Sequence, residues 1–320
     1  MTKEEKEIER FYDENRNRCT ECGYEFEEHD DRDELCYIGE KDSGDFAVSC
    51  ESCKTKLSKL YFRQSYYQRA YRTPHSDDTL WRYMDLAKYI SMLSTSSLFL
   101  ARVNTFEDPL EGAKGLVENR HIWDKHYLSF FKNAVTTMPD GKKSALSDLE
   151  VETQAQNLLK QLQASGNLDR KTAYVCCWHK NSRESQAMWR LYSTVLSNAV
   201  AVKTTYKQLS RSIDINSRRD VEIGEVKYID FNKEFAEVNG NLWRKDLSFK
   251  HESEVRMLYR DLSGQPVGVP IKVDLIELIE GVYISPEAPS WFKDTVNDIN
   301  EKYGVSVSVS DSELNHQPFY

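Results

Sequence analysis

The sequence predicts an α+β protein: mixed small sheets around a central cleft with peripheral helices, preceded by a small cysteine-bounded module. Three observations predict it. Two C-x-x-C pairs, Cys19/Cys22 and Cys50/Cys53, enclose a short acidic stretch near the N-terminus. From residue 79 onward, runs with strand periodicity and runs with helical periodicity mix without a strict βαβ rhythm, which favours α+β over α/β. The chain has 320 residues, 39% hydrophobic and 30% charged, enough for one large domain or two ordinary ones.

The elements follow in order. Residues 1 to about 17 read as a charged helix. Residues 1–60 contain the cysteine module, and residues 61–78 a helix and linker. Helical spacing of Leu57, Leu60, Tyr61 and Tyr67 predicts that helix over 54–72, with the linker at Thr73-Pro74-His75-Ser76-Asp77-Asp78. The main domain spans 79–320. Thr79–Met84 reads as a strand, Asp85 as the cap of a helix to Leu93, and Ser97–Val103 as a second strand. Residues 113–165 are mostly helical, broken at Met138-Pro139-Asp140-Gly141. Lys171–Trp178 is a strong strand, followed by a helix near Ser185–Ser193. Strands are expected at 199–204, 221–229, 251–259, 269–273, 281–284 and 305–309, with helices at 206–212 and 290–303.

Two C-x-x-C knuckles 27 residues apart supply four thiolates, the number that a tetrahedral zinc takes. Cys19, Cys22, Cys50 and Cys53 are therefore the expected ligands of a structural Zn²⁺ in a zinc-ribbon-like module, with Gly23 at a tight turn. A module this small lacks a sufficient core, so the metal would supply folding free energy. Cys36 and His29 are read as bystanders.

The net charge of −9 argues against broad, nonspecific nucleic-acid binding but leaves room for a local basic groove. The stretch from Lys54 to Arg82 is basic and aromatic. No run approaches the roughly 18 apolar residues of a membrane span, and the charged N-terminus resembles no secretory signal. The expectation is a cytoplasmic protein without a membrane partner; the oligomeric state is open. H-E-x-x-H, Walker A and G-x-G-x-x-G motifs are absent, and 13 glycines are few for a phosphate loop.

The stretch Asn104-Thr-Phe-Glu-Asp-Pro-Leu-Glu111 raises the question of chemistry. Asp108, Pro109 and Glu111 fit a capping box at N-cap, N1 and N3. Near the C-terminus, Glu252, Glu254 and Arg256 share one face of a predicted strand, the carboxylates about 7 Å apart. Carboxylates so placed need a cation nearby. Arg256, Arg82, Arg190 or a cationic transition state could serve, and a salt-bridge ladder with Arg256 and Lys250 is the plain alternative. Cys176 and Cys177 sit in a strand, at least one of them in the core.

The chain resembles an uncharacterised bacterial family whose members carry a Phe-Asn-Asp-Pro-Phe-Glu turn and a Trp-x-x-Glu-x-Glu-x-Arg block. Here these are Asn104–Glu111, with Glu107 for Asn and Leu110 for Phe, and Lys250-His-Glu-Ser-Glu-Val-Arg256. Between them, Val175-Cys-Cys-Trp178 and Met188-Trp-Arg-Leu-Tyr192 are similar to its middle motifs, and the likeness covers about residues 79 to 310. More distantly, the order of motifs resembles the ADP-ribosyltransferase superfamily. That resemblance implies NAD held in a cleft between two sheets, with Arg82, Tyr83, Tyr192 and Arg256 at the cofactor and Glu254 or Glu252 as the catalytic carboxylate. It implies transfer of ADP-ribose to a nucleic-acid or protein acceptor, in the manner of a toxin or antiphage effector, and convergence of Arg82, Tyr192 and Glu254. Two other readings stand beside it. Glu107, Asp108, Glu252 and Glu254 could gather around Mg²⁺ with Lys250 or Lys180, as in a metal-dependent nuclease. The chain could also be a non-enzymatic zinc-ribbon recognition protein.

Overall fold

The computed structural model describes residues 8, 10–11, 14–15, 18–23, 35–65, 70–136, 145–214, 217, 220–236, 240–263, 266–315 and 319. It divides into two units, Met1–Arg72 and Thr73–Tyr320.

In the first unit, β1 (Leu35–Glu40), β2 (Phe46–Ser49) and β3 (Lys59–Ser65) form an antiparallel sheet in the order β2-β1-β3. Ile38 and Val48 pack with Ile8, Cys19, Cys50 and Cys53 in a small apolar cluster. The helix expected over 54–72 is not formed where the structure describes it. A 3-10 turn ends at Lys56 and the chain then pairs with the free edge of β1. Tertiary pairing overrides the local pattern here, helped by aromatic residues that suit a pleated surface, and the Tyr61 hydroxyl donates to Glu40 at 2.7 Å. Residues 66–69 and most of the helix expected at 1–17 lie outside the described residues.

The second unit begins with β4 (Thr79–Asp85), α1 (Leu86–Thr95) and β5 (Ser97–Arg102). Next come α2 (Arg120–Thr136), α3 (Asp148–Thr172), β6 (Ala173–Lys180), α4 (Gln186–Tyr192), β7 (Ala199–Thr205) and α5 (Tyr206–Ser212). Then follow β8 (Val221–Glu225), β9 (Lys227–Ile229), β10 (Arg244–Asp246) and β11 (Glu254–Arg260). The unit closes with β12 (Gly268–Lys272), α6 (Leu275–Leu278), β13 (Gly281–Ile284), α7 (Phe292–Lys302) and β14 (Val309–Ser310). Mixed α+β architecture is thus observed. The small sheets are arms of one forked sheet of nine strands among the described residues, plus the parallel pair β9-β10.

The fork is at β6. One of its edges pairs with β11 from Ala173 to His179. The other edge is shared: Tyr174 and Val175 pair with β5, whereas His179 and Lys180 pair with β4. β4 and β5 therefore part beside Cys176–Trp178. Strand alternation sorts the side chains. Leu80, Met84, Cys176, Trp178, Val255 and Met257 line one face and join the main core with Tyr89 and Leu93 of α1 and Phe292 and Val296 of α7. Trp81, Tyr83 and Ala201 line the opposite face, under Met188 and Trp189 of α4. Asp85 does not cap α1. Its carboxylate accepts from the backbone N–H and hydroxyl of Thr194, both at 2.8 Å.

Candidate functional site

The second face of the sheet carries a buried group of charges. Register places Glu254 opposite His179 and Arg256 opposite Cys177, so all four side chains share that face. Arg256 is fully buried. It donates to both oxygens of Glu254, at 2.6 and 3.2 Å, to Glu111 at 2.6 Å and to the Leu242 carbonyl at 2.6 Å. Lys245 lies 2.5 Å from Glu252, 3.6 Å from Glu254 and 3.9 Å from Glu111. The parallel pair β9-β10 delivers it, with Tyr228 as its register partner. The Tyr228 hydroxyl accepts from the Glu254 backbone N–H at 2.8 Å. Tyr192, at the end of α4, donates to Glu252 at 2.9 Å and is 41% exposed, the open side of an otherwise buried cluster.

Burial opposes every charge here, so the pairing decides the ionisation. Burial would raise the Glu254 carboxyl, but Arg256, with help from Lys245, holds it down at about 2. Burial would lower Lys245 and Arg256; their carboxylate neighbours instead raise both, Arg256 strongly. Burial, reinforced by the adjacent carboxylates, keeps Tyr192, Tyr228 and the Cys177 thiol protonated. His179 is held neutral by burial, and its Nδ1 donates to the Glu252 carbonyl at 2.6 Å.

Several expectations need correcting. The strand starts at Glu254, three residues later than expected, and Glu252 closes a 3-10 turn. Between them Ser253 is left-handed, with φ 40°. That kink, not strand alternation, turns both carboxylates to one site. Arg82 does not join them. It alternates with Trp81 and Tyr83, so its guanidinium lies on the opposite face, donating to Cys176 and, at 3.5 Å, to the Phe99 carbonyl across the fork. Tyr83 is on the site's face, but its hydroxyl is engaged by the Ser185 backbone N–H at 2.8 Å and its ring packs 4.9 Å from Trp189. Arg256 serves the carboxylates instead of an open surface. Lys250 is exposed, and the cation beside Glu252 is Lys245.

The Asn104–Glu111 stretch leaves a short 3-10 helix, Val103–Thr105, and runs on as turns, and the next α-helix begins only at Arg120. Asp108 does accept from the Leu110 backbone N–H at 2.9 Å. Glu111 is no capping partner. Gly112, with φ 71° and its carbonyl held by Asn241 at 3.1 Å, turns the chain so that Glu111 enters the core and meets Arg256. In the sequence Glu111 reads as a cap because its partner Arg256 is remote, and Lys245, only seven residues before Glu252, is not singled out because it lies outside the predicted strand. The one local signal is a glycine directly after a glutamate. The arrangement also removes the residue basis of the nuclease reading. Glu107 is exposed, Lys180 is bound to Glu225 and Asp78 on the other face, and Lys245 and Arg256 answer the clustered carboxylates.

Among the described residues, the group of three or more metal-ligating side chains close enough to hold an ion is Cys19, Cys22, Cys50 and Cys53, whose sulfurs lie within 4.8 Å of one another. Cys22 and Cys50 are 3.9 Å apart, close to the roughly 3.8 Å edge of a tetrahedron with 2.3 Å Zn–S bonds. The Gly23 backbone N–H donates to the Cys19 carbonyl at 2.9 Å, and its φ of 74° makes the turn that closes the first knuckle. Burial and the three neighbouring thiols push Cys53 up to about 12. Four sulfurs fill a tetrahedral shell, so this donor set fits a structural metal. Cys36 and His29 have no described side chain. No described helix is long and apolar enough to cross a membrane.

No family model matches the chain, and no curated protein matches it. Among solved structures it is similar to Thermus sp. 2.9 DarT in complex with NAD+, at 8% identity and a TM-score of 0.34, over 77% of this chain and 100% of that one. It is likewise similar to Thermus sp. 2.9 DarT in complex with ADP-ribosylated ssDNA, at 9% identity and a TM-score of 0.33, over 76% of this chain and 96% of that one. Likeness at this level carries no functional weight.

Proposed function

We propose that Thr73–Tyr320 breaks the glycosidic bond of NAD and transfers ADP-ribose to a macromolecular acceptor, with nucleic acid as the acceptor class. One observation carries this reading. In the buried cluster three carboxylates, Glu111, Glu252 and Glu254, face two cations, Lys245 and Arg256. One negative charge is left over. Tyr192, Tyr228 and Cys177 stay protonated and His179 stays neutral, so none of them cancels it. A buried group that holds three carboxylates and two cations favours a cationic occupant. Loss of nicotinamide from NAD develops positive charge at the ribose, which a fixed carboxylate stabilises.

Glu252 is assigned as the carboxylate that meets the occupant. It pairs with Lys245 at 2.5 Å, while Glu254 and Glu111 share Arg256 deeper in the fold, and it is the most exposed of the three, at 8%, beside the Tyr192 hydroxyl. Glu254 then keeps Arg256 and Lys245 in place as a positioning residue. The Arg82 role implied by family resemblance is withdrawn, and Tyr192 is the aromatic group placed to cover the occupant. In the first unit, Lys54 and Lys59 lie over the rings of Tyr37 and Tyr61 at 5.1 and 4.6 Å, groups suited to phosphates and bases. Zn²⁺ in the four-cysteine site would brace that unit. Modification of nucleic acid in the cytoplasm would make the protein a toxin or an antiphage effector.

The test is full-length protein with NAD labelled in the ADP-ribose moiety, offered oligonucleotides and cell extract. Label should appear on nucleic acid, and Glu252→Gln should lower the rate roughly 10²–10³-fold at a temperature where the variant is still folded. Neither label transfer nor nicotinamide release with any acceptor would overturn the reading.

A further inference from the structure

His179 has one committed nitrogen and one idle one. Its Nδ1 lies 2.6 Å from the Glu252 carbonyl oxygen. A carbonyl only accepts, so Nδ1 carries the proton and Nε2 carries a lone pair. Nε2 is buried and meets no hydrogen-bond donor among the described residues. A buried acceptor left without a partner costs free energy, so its retention calls for a group that arrives with the substrate. Its position is informative. His179 pairs with Glu254 on one edge of β6 and with Trp81 on the other, and its ring stands 6.3 Å from that of Tyr83. The His179 ring is tied to the main-chain carbonyl of Glu252, so base and carboxylate are held by one residue pair.

Resting on the transfer reading above, we propose that His179 Nε2 accepts the proton of the acceptor's attacking N–H or O–H. The step balances. The C1′–N bond of NAD breaks and its electron pair leaves with neutral nicotinamide. The acceptor's lone pair forms the new bond to C1′, and its proton passes to Nε2 and then to solvent. Glu252 stabilises charge and does not have to change protonation. The base is competent only when neutral, so the rate falls as pH drops through the His179 pKa, which burial sets below the ordinary 6.5. The groups facing it are Glu252 and Glu254, both anionic partners of Lys245, together with His251, which lowers its pKa, and the neutral Tyr83.

His179→Asn keeps a donor at the Nδ1 position and removes Nε2. With labelled NAD and a pool of single-stranded oligonucleotides, it should bind NAD within twofold of the parent protein by calorimetry. Transfer should fall about 10²-fold or more, and the acid limb of the pH profile should vanish. Azide, a nucleophile with no proton to lose, should restore ADP-ribosyl transfer in this variant, and His251→Asn should keep the limb. If His179→Asn fails to fold, His179→Gln replaces it. A variant with the parent rate and limb would overturn the role of His179 alone. A variant dead toward azide as well would show a structural histidine. A parent protein that neither binds nor cleaves NAD would sink the transfer reading and this inference with it.

Discussion

Arg256 makes four hydrogen bonds at full burial, to Glu254, Glu111 and the Leu242 carbonyl. A guanidinium suits this task because its donors are fixed in a plane and it never deprotonates. Removing one partner of such a cluster strands the others, which typically costs about 3–5 kcal/mol. Glu111→Ala and Arg256→Ala should each lose that much in urea unfolding, and the double variant should lose less than the sum. The pH dependence has a definite sign. The Glu254 carboxyl falls from 4.5 to about 2 on folding. Its contribution to stability is thus complete above about 4.5 and is lost as pH drops toward 2. Glu254→Gln should flatten stability across that window. Glu252, Glu254 and Arg256 were readable in the sequence as a cluster that needs countercharge. Glu111 was not, because only the folded backbone brings residues 145 positions apart, as Glu111 and Arg256 are, to 2.6 Å, and Lys245 was not, because it reaches Glu252 from a separate short strand, β10, across a 3-10 turn.

At the scale of elements, the alternation His251-Glu-Ser-Glu-Val reads as continuous strand, yet β11 starts at Glu254. A 3-10 turn ends at Glu252 and Ser253 takes φ 40°. A left-handed serine costs roughly 1–2 kcal/mol, and no spacing rule reveals it. Ser253→Gly relieves that strain but frees the unfolded chain, for a net gain of up to about 1 kcal/mol in urea unfolding. The expected compensation is slower transfer, because Glu252 is then less firmly aimed. Most strands and helices from Thr79 to Tyr303 fall within a few residues of their periodicity, because each carries a continuous apolar face. Arg82 shows what periodicity leaves open. The alternation Leu80-Trp-Arg-Tyr-Met84 was visible, but both faces are covered, so only the register with β6 and β7 decides which face holds the arginine.

The whole molecule contains two units with different sources of stability. Met1–Arg72 has a small apolar cluster of which half are cysteines of the four-cysteine group, so a metal held there would couple its binding to folding. Zinc should copurify at one equivalent per chain. A chelator, or Cys22→Ser, should abolish one calorimetric transition and leave the transition of Thr73–Tyr320 in place; an unchanged trace would remove the metal's structural role. The cysteine spacing made this module legible from sequence, whereas β3 was hidden because its pairing edge belongs to β1.

The fork at β6 also bears on how the protein is born. β6 must find β4 and β5, already synthesised, and then wait for β11, which lies in the last quarter of the chain. Pairings this distant in sequence form slowly. Until residue 256 has left the ribosome, β6 has no Glu254 opposite His179, Arg256 has not drawn in Glu111, and Lys245 has no carboxylate to hold from β11. A nascent chain, or one truncated before β11, therefore lacks Glu254 and Arg256 of the charge cluster, so the transfer proposed above would begin only after most of the chain has been made.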